Sequence, residues 1–145
     1  MNYKTASVVA FVVVVACAVW MQMIGALLAG GPLSAAVQCA AILLMIWARL
    51  TFRRRSFHAA ANPTAGGIVT TGPYRFIRHP IYAAAFYFLA AGAASHLSAQ
   101  SAAAFLIASA MLFVRIRAEE ILLVERYPEY AAYAAATRRI LPGVF

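Results

Sequence analysis

The stretch TASVVAFVVVVACAVWMQMIGALL, residues 5–28, decides the fold class of this chain. None of its 24 residues is charged. As a helix it reaches about 36 Å, enough to cross a hydrocarbon core of about 30 Å. A secretory signal is the alternative, because Lys4 precedes the run and the residues before Cys17 loosely resemble a lipoprotein cleavage site. The run continues well beyond Cys17, which favours a retained membrane helix.

The composition of the whole chain excludes an ordinary water-soluble domain. Of its 145 residues, 65% are hydrophobic and 11% are charged, and the mean hydropathy is +0.81. Soluble domains carry about 25% charged residues. The length allows one domain, so we predict a single membrane domain over residues 1–145. Cys17 and Cys39 lie within apolar runs without the spacing of metal ligands, and no metal is expected.

The apolar segments predict an all-α integral membrane protein with four transmembrane helices. The expected helices are at about residues 5–29, 34–53, 80–95 and 99–126, and the expected cytoplasmic segments are residues 54–79 and 127–145. Gly30-Gly31-Pro32 breaks the first helix, and Ser34 can cap the second. The last two helices are rich in Ala and predict a tight hairpin, because small residues let helix backbones approach closely in lipid.

The basic residues predict the orientation in the membrane. A formal charge of +8 would suggest nucleic acid in a soluble protein. Here the arginines flank apolar runs, so the expected partner is the bilayer and no nucleic acid is expected. All twelve basic residues fall on one side of the predicted helices, and the connections around Gly30 and His96 carry none. The positive-inside rule then places both termini in the cytoplasm, and we expect a multi-pass protein of a bacterial inner membrane.

Two predicted cytoplasmic segments hold the polar residues that can carry chemistry. Residues 66–82 contain glycines that permit close approach to a ligand, and Pro80 begins a helix whose free N–H groups suit a carboxylate or phosphate. Farther along, Arg115 and Glu119 are one turn apart and can face the same way. The simple interpretation is a basic helix start and a surface salt bridge. The functional interpretation is a pocket for a ligand that carries both an ammonium and a carboxylate group.

The sequence GPYRFIRHPIY at residues 72–82, followed by Arg115 and Glu119-Glu120, resembles the isoprenylcysteine carboxyl methyltransferase family. Glu129-Tyr130, Tyr133 and Pro142 extend the pattern, and related phospholipid N-methyltransferases share parts of it. The resemblance covers about residues 66–142. It implies an integral membrane enzyme that uses S-adenosylmethionine, with the cofactor enclosed at the cytoplasmic surface by the last helices and their connecting segments.

The resemblance also implies roles for individual residues. Arg115 would hold the substrate carboxyl group. Glu120 is the candidate base for an amine acceptor, which must first lose a proton, whereas a carboxylate acceptor is already ionised at pH 7. Arg115 and Glu120 are therefore the predicted catalytic residues. The predicted cofactor contacts are Gly66, Gly67, Ile68, Val69, Tyr74, Arg78, His79, Pro80, Ile81, Tyr82 and Glu119.

The sequence leaves the methyl acceptor open. Lipophilic acids, amines, thiols and phospholipids all fit, and an isoprenylcysteine carboxyl group is the nearest match. The chain is short for this family, so part of the substrate tunnel is either missing or supplied by a second subunit of a homo-oligomer. A nicotinamide-dependent membrane reductase and a non-enzymatic membrane scaffold are the alternatives from other classes. Glu119-Glu120 and the C-terminal tyrosines argue against the reductase.

Overall fold

Helices make up most of the described part of the protein. The computed structural model describes residues 2–52 and 67–141. The helices are α1 (Tyr3–Met23), α2 (Pro32–Phe52), α3 (Pro80–Ser95), α4 (Ala99–Arg126) and α5 (Tyr130–Ala136), with a 3-10 turn at Gly72–Arg75. Within these two described ranges there is no strand, and the isolated parallel β-bridge joins Ile77 to Arg138.

Three helices are long and apolar enough to cross a membrane, namely α1, α2 and α4. The fourth, α3, is an apolar helix of 16 residues, about 24 Å long at roughly 1.5 Å per residue. Large hydrophobic side chains such as Val12, Leu43 and Leu50 are exposed on α1 and α2, as contact with lipid requires. The all-helical membrane prediction is thus confirmed for the described residues, whereas the fourth crossing stays a prediction.

The first helix ends at Met23 instead of near residue 29. Gly25 adopts a left-handed φ of 69°, and its N–H donates to the Gln22 carbonyl while the Ala26 N–H donates to the Met21 carbonyl. This pair of bonds is a Schellman motif, which satisfies the last carbonyls of a helix. The predicted end was wrong because the apolar residues that follow Gly25 concealed the helix stop.

The second helix begins at Pro32, two residues earlier than predicted. Proline at the first helical position has the required φ and lacks only an N–H group that would be unpaired there. Ser34 therefore lies inside α2, and its predicted capping role is wrong. The buried Gln38 side chain holds the preceding loop by accepting from the Ala29 N–H at 2.9 Å and donating to the Leu27 carbonyl at 2.8 Å.

The four long helices pack in two main pairs, α1 with α4 and α2 with α3. Cys17, Met21, Leu89 and Ala108 form part of the core between them. The contact between α3 and α4 is less extensive, and there the rings of Phe86 and Phe105 meet with centroids 5.3 Å apart. Close approach of these two helices along an alanine-lined hairpin is therefore not confirmed, because aromatic side chains occupy part of their interface.

Polar groups from several elements meet at one end of the bundle. The start of α1 reaches α4 where Arg115 donates to the Ser7 carbonyl, and the end of α2 reaches the 3-10 turn where Phe52 packs on Tyr74. The predicted cytoplasmic loop includes Arg53-Arg54-Arg55, which lie outside the described residues, so the topology stays a prediction.

Candidate functional site

The beginning of α3 is fixed by the C-terminal segment. The Arg78 N–H donates to the Arg138 carbonyl at 2.7 Å, and the His79 N–H donates to the Arg139 carbonyl at 3.0 Å. His79 occupies the N-cap position of α3, but its side chain makes no capping hydrogen bond. The first N–H groups of the helix therefore lack a side-chain cap at the positive end of the helix dipole, an arrangement that suits an anionic ligand group.

Glu120 lies in a cluster of three arginines and one histidine. Its carboxylate accepts from Arg78 Nε at 2.7 Å and from Arg139 Nε at 3.1 Å. Arg117 Nη1 lies 3.6 Å away and His79 Nε2 3.4 Å away. The three arginines stabilise the ionised carboxylate, so it is poorly suited to accept a proton. The geometry therefore favours a positioning role for Glu120 over the predicted role of base.

Arg78 is committed to the same cluster. Besides Glu120, it reaches the C-terminal end of α5, where its Nη1 donates to the carbonyl groups of Thr137 and Ala134. The guanidinium thus fastens α5 and the C-terminal segment to the beginning of α3. The structure gives Arg78 a structural role and adds no support for its predicted contact with a cofactor.

Glu119 has a different environment from that of Glu120. Its side chain is 31% exposed, yet its Oε2 atom is buried and has no hydrogen-bond partner among the described residues. This oxygen lies 3.9 Å from Nδ1 of His79. A buried polar atom without a partner costs about 1–3 kcal/mol, more if it is charged. The geometry therefore indicates a place for a hydrogen-bond donor from a ligand.

Tyr82 lies near both Arg115 and Glu119. Its hydroxyl accepts from Arg115 Nη2 at 3.3 Å, and the Glu119 carboxylate lies close to it. Its ring also lies against His79, with ring centroids 5.6 Å apart. Tyr82 therefore lies next to Arg115, which is predicted to hold the acceptor, and next to Glu119, which is predicted to hold the cofactor. Arg115 and Glu119 lie on the side of α4 that faces Tyr82, as their i,i+4 spacing allows.

Arg115 is buried, with 5% of its surface exposed, and helix α1 supplies part of its surroundings. Its Nη1 donates to the Ser7 carbonyl at 2.8 Å, and its guanidinium carbon lies 5.1 Å from the centroid of the Phe11 ring. Such contacts lower the cost of a charge at the edge of an apolar zone. Sequence analysis missed Ser7 and Phe11, since neither differs in type from ordinary residues of a membrane helix.

The tyrosines of α5 support the turn before α3. The Tyr133 hydroxyl donates to the Tyr74 carbonyl at 2.6 Å. Burial raises the pKa of Tyr133 to about 12, so the hydroxyl keeps its proton at neutral pH. Tyr74, a predicted cofactor contact, is itself buried. The Tyr130 hydroxyl is buried without a hydrogen-bond partner in the described part of the chain. Tyr130 was not among the predicted site residues, and the structure adds it to the candidate site.

The glycines of residues 66–72 differ in whether a neighbouring side chain lies close to their Cα atom. A Cβ atom at Gly72 would lie 2.5 Å from Thr51 Oγ1, so this glycine permits packing against α2 and not approach to a ligand. Gly67 has a φ of 81° and open space around its Cβ position. Ile68 and Val69 follow it as partly buried residues outside any helix or strand. Gly66 lies outside the described residues.

An apolar cavity of about 150 Å³ lies between α3 and α4, beside the polar cluster. Tyr82 and Phe86 line it from α3, and Ser109, Leu112, Phe113 and Ile116 line it from α4, while Ile140 comes from the C-terminal segment. Ser109 contributes little polarity, because its hydroxyl donates to the Phe105 carbonyl of the same helix. Tyr82 therefore borders both the polar cluster and an apolar space.

A protein-family model matches residues 32–125, which run from the beginning of α2 to the last turn of α4. Its description is the isoprenylcysteine carboxyl methyltransferase family. The chain belongs to this family. The resemblance noted in residues 72–82 and in Arg115 with Glu119-Glu120 is thereby confirmed. The family is named for a methyltransferase, and the apolar helices fit an integral membrane protein. Helices α1 and α5 lie outside the matched region.

The chain is also similar to a nickel-cobalt-cadmium resistance protein, NccN, of Alcaligenes xylosoxydans xylosoxydans. The two are 37% identical over 76 residues, which are 52% of this chain and 36% of that protein. The match thus spans about a third of the relative. Within residues 2–52 and 67–141, no group of three His, Cys, Asp or Glu is placed to hold a metal ion. No solved structure matches the chain.

Proposed function

We propose that the protein transfers a methyl group from S-adenosylmethionine to a lipophilic acceptor. The observation that carries this proposal is the buried, unpartnered Oε2 atom of Glu119 next to the uncapped beginning of α3. The methionine end of the cofactor carries an ammonium and a carboxylate. Glu119 can accept from the ammonium, and the N–H groups of Ile81 and Tyr82 can donate to the carboxylate.

The chemistry needs placement and the exclusion of water. The cofactor supplies a methyl group that is already activated on a sulfonium, so the protein has to align the acceptor with it. Glu119 and the beginning of α3 fix the methionine end. Tyr82 lies near Glu119 and lines the apolar cavity, and the apolar walls of that cavity keep water away from the acceptor. No residue has to supply a proton to the departing group.

A carboxylate acceptor is the interpretation that uses Arg115 directly. The planar guanidinium can hold a carboxylate through two parallel hydrogen bonds, and an ionised carboxylate needs no base. In this interpretation Arg115 holds the acceptor carboxylate while one of its oxygens attacks the methyl group. Its position one turn before Glu119 sets the acceptor beside the cofactor.

A phospholipid or another lipophilic amine is the second candidate. The observation that favours it is that Arg115 already donates to the Ser7 carbonyl and the Tyr82 hydroxyl. These bonds give the guanidinium a positioning role that needs no acceptor carboxylate. An amine acceptor must arrive deprotonated or lose its proton to a base, and the cluster around Glu120 makes that carboxylate a poor candidate.

The orientation follows from the same proposal. We place the polar end of the bundle, with both termini, on the cytoplasmic side of a bacterial inner membrane, because S-adenosylmethionine is a cytoplasmic compound. Lys4 and Arg49 lie at the same ends of α1 and α2 as this cluster, in agreement with the positive-inside rule.

The experiment that tests the function compares ligands and then follows the methyl group. In detergent, S-adenosylhomocysteine should raise the unfolding temperature of the purified protein and NADPH should not. Incubation with radiolabelled S-adenosylmethionine and extracted bacterial lipids should then label an organic-soluble product. Alkaline hydrolysis releases the label from an ester but not from an amine, which separates the two acceptor classes. Stabilisation by NADPH alone would contradict the proposal and favour a reductase.

A further inference from the structure

The cavity between α3 and α4 is bounded by a residue from outside both helices. Ile140 belongs to the segment after α5, and the Tyr87 hydroxyl of α3 donates to its carbonyl at 3.1 Å. The preceding residue, Arg139, is held by the Glu120 carboxylate. Two anchors therefore fix Ile140 against the cavity that Tyr82 shares with the polar cluster.

The cavity has a definite size. Its volume of about 150 Å³ is that of an engineered apolar protein cavity that binds benzene. A group of about six carbon atoms fills such a space. A larger group presses against these walls, and among the wall residues Ile140 is held by a short segment, whereas the others belong to long helices.

We propose that this cavity holds the apolar group of the methyl acceptor nearest to the reacting atom, and that Ile140 limits the size of that group. The inference rests on the proposed methyltransferase function. Continuity with the polar cluster identifies the occupant: the hydroxyl of Tyr82 accepts from Arg115, and Tyr82 also lines the cavity. An acceptor whose apolar group fills the cavity has its polar end at this hydroxyl. Tyr87 is then a positioning residue that acts through Ile140.

Thiol labelling inside the cavity tests the size limit without any need for turnover. Ser109→Cys is introduced after both native cysteines are replaced by Ala, and the protein is treated with ethyl, benzyl and naphthylmethyl methanethiosulfonate. We expect the ethyl and benzyl reagents to modify the introduced thiol readily. The naphthylmethyl reagent should react about tenfold more slowly or worse, because overfilling a packed site is costly.

The decisive variant is Ile140→Ala, and Leu141→Ala is its matched control. Ile140→Ala should restore most of the naphthylmethyl rate, since it removes about three carbons from the wall. Leu141 is the next residue of the same segment and does not line the cavity, so Leu141→Ala should leave the rate unchanged. Tyr87→Phe keeps the ring and removes the bond to Ile140, and it should give an intermediate rate. Equal naphthylmethyl rates with and without the Ile140→Ala substitution would overturn the size limit.

A second readout separates this inference from the proposed function. After benzyl labelling of the Ser109→Cys variant, its affinity for S-adenosylhomocysteine should stay within about twofold of the unlabelled variant, while transfer of radiolabelled methyl groups to extracted lipids should be lost. Undiminished transfer by the labelled protein would overturn the placement of the acceptor in the cavity. Failure of the unlabelled protein to bind S-adenosylhomocysteine would instead contradict the proposed function, whereas the labelling rates would still decide the size limit.

Discussion

Arg115 can either bind the acceptor carboxylate or hold neighbouring groups in position. It is a buried cation at the edge of an apolar helix, and it contacts the Ser7 carbonyl, the Phe11 ring and the Tyr82 hydroxyl. These partners lower the cost of burying the charge. They also fix the guanidinium next to Tyr82, where an acceptor carboxylate would arrive.

Arg115→Lys distinguishes the two acceptor classes. Lysine keeps the charge but loses the planar fork that binds a carboxylate through two bonds. For a carboxylate acceptor we expect the methylation rate to fall by about tenfold or more while the affinity for S-adenosylhomocysteine stays near wild type. For an amine acceptor, Arg115→Lys should retain most activity. Arg115→Ala, which also removes the charge near Glu119, should weaken cofactor binding and turnover together if the residue has only a positioning role.

At the scale of the elements, glycines and prolines determined what the sequence could predict. Pro80 at the first position of α3 gave the start of that helix correctly, and the predicted bounds of α4 agree with those observed. The end of α1 was missed because its stop signal, Gly25, lies within an apolar run. Contacts between segments that are distant in the sequence could not be predicted. The hydrogen bond from Tyr87 to Ile140, for example, depends on the path by which the C-terminal segment folds back onto α3, and residue types and their spacing do not determine that path.

Gly25→Ala tests the left-handed stop at the end of α1. Alanine at a positive φ costs about 1–2 kcal/mol, so the free energy of unfolding, measured by denaturation from detergent micelles, should fall by about that amount. Gly31→Ala is the matched control. Both glycines have open space around the Cβ position, but only Gly25 has a left-handed φ. Equal stability of the two variants would show that the backbone conformation at residue 25 is not required.

The whole molecule divides into two ends with different roles. One end gathers the ion pairs, the tyrosines and the beginning of α3. At the other end, Gln38 and His96 bind the loop that follows α1, and Gly92 allows α3 to approach that loop closely. The charge pattern favours the first end as the place of the proposed function. Completion of the acceptor site by a second copy of the chain stays a prediction.

Accessibility to an impermeant maleimide in sealed bacterial cells tests the orientation of these two ends. Leu97 lies in the turn between α3 and α4 and is 86% exposed, and Glu129 lies just before α5 at the other end. In a background without native cysteines, we expect the Leu97→Cys variant to be labelled from outside and the Glu129→Cys variant to be labelled only after the cells are broken. The opposite pattern would contradict the cytoplasmic placement of the site.

The affinity of Glu119→Gln for S-adenosylhomocysteine tests the central claim most directly. Glutamine keeps the size of the side chain and removes its charge, and loss of a charged hydrogen bond costs about 1.5–3 kcal/mol. Calorimetry on the purified protein should therefore show binding weakened by about 10- to 150-fold. Glu125→Gln, which changes an exposed glutamate on the same helix, should bind like wild type. Unchanged affinity in a folded Glu119→Gln variant would contradict the assignment of this carboxylate to the cofactor.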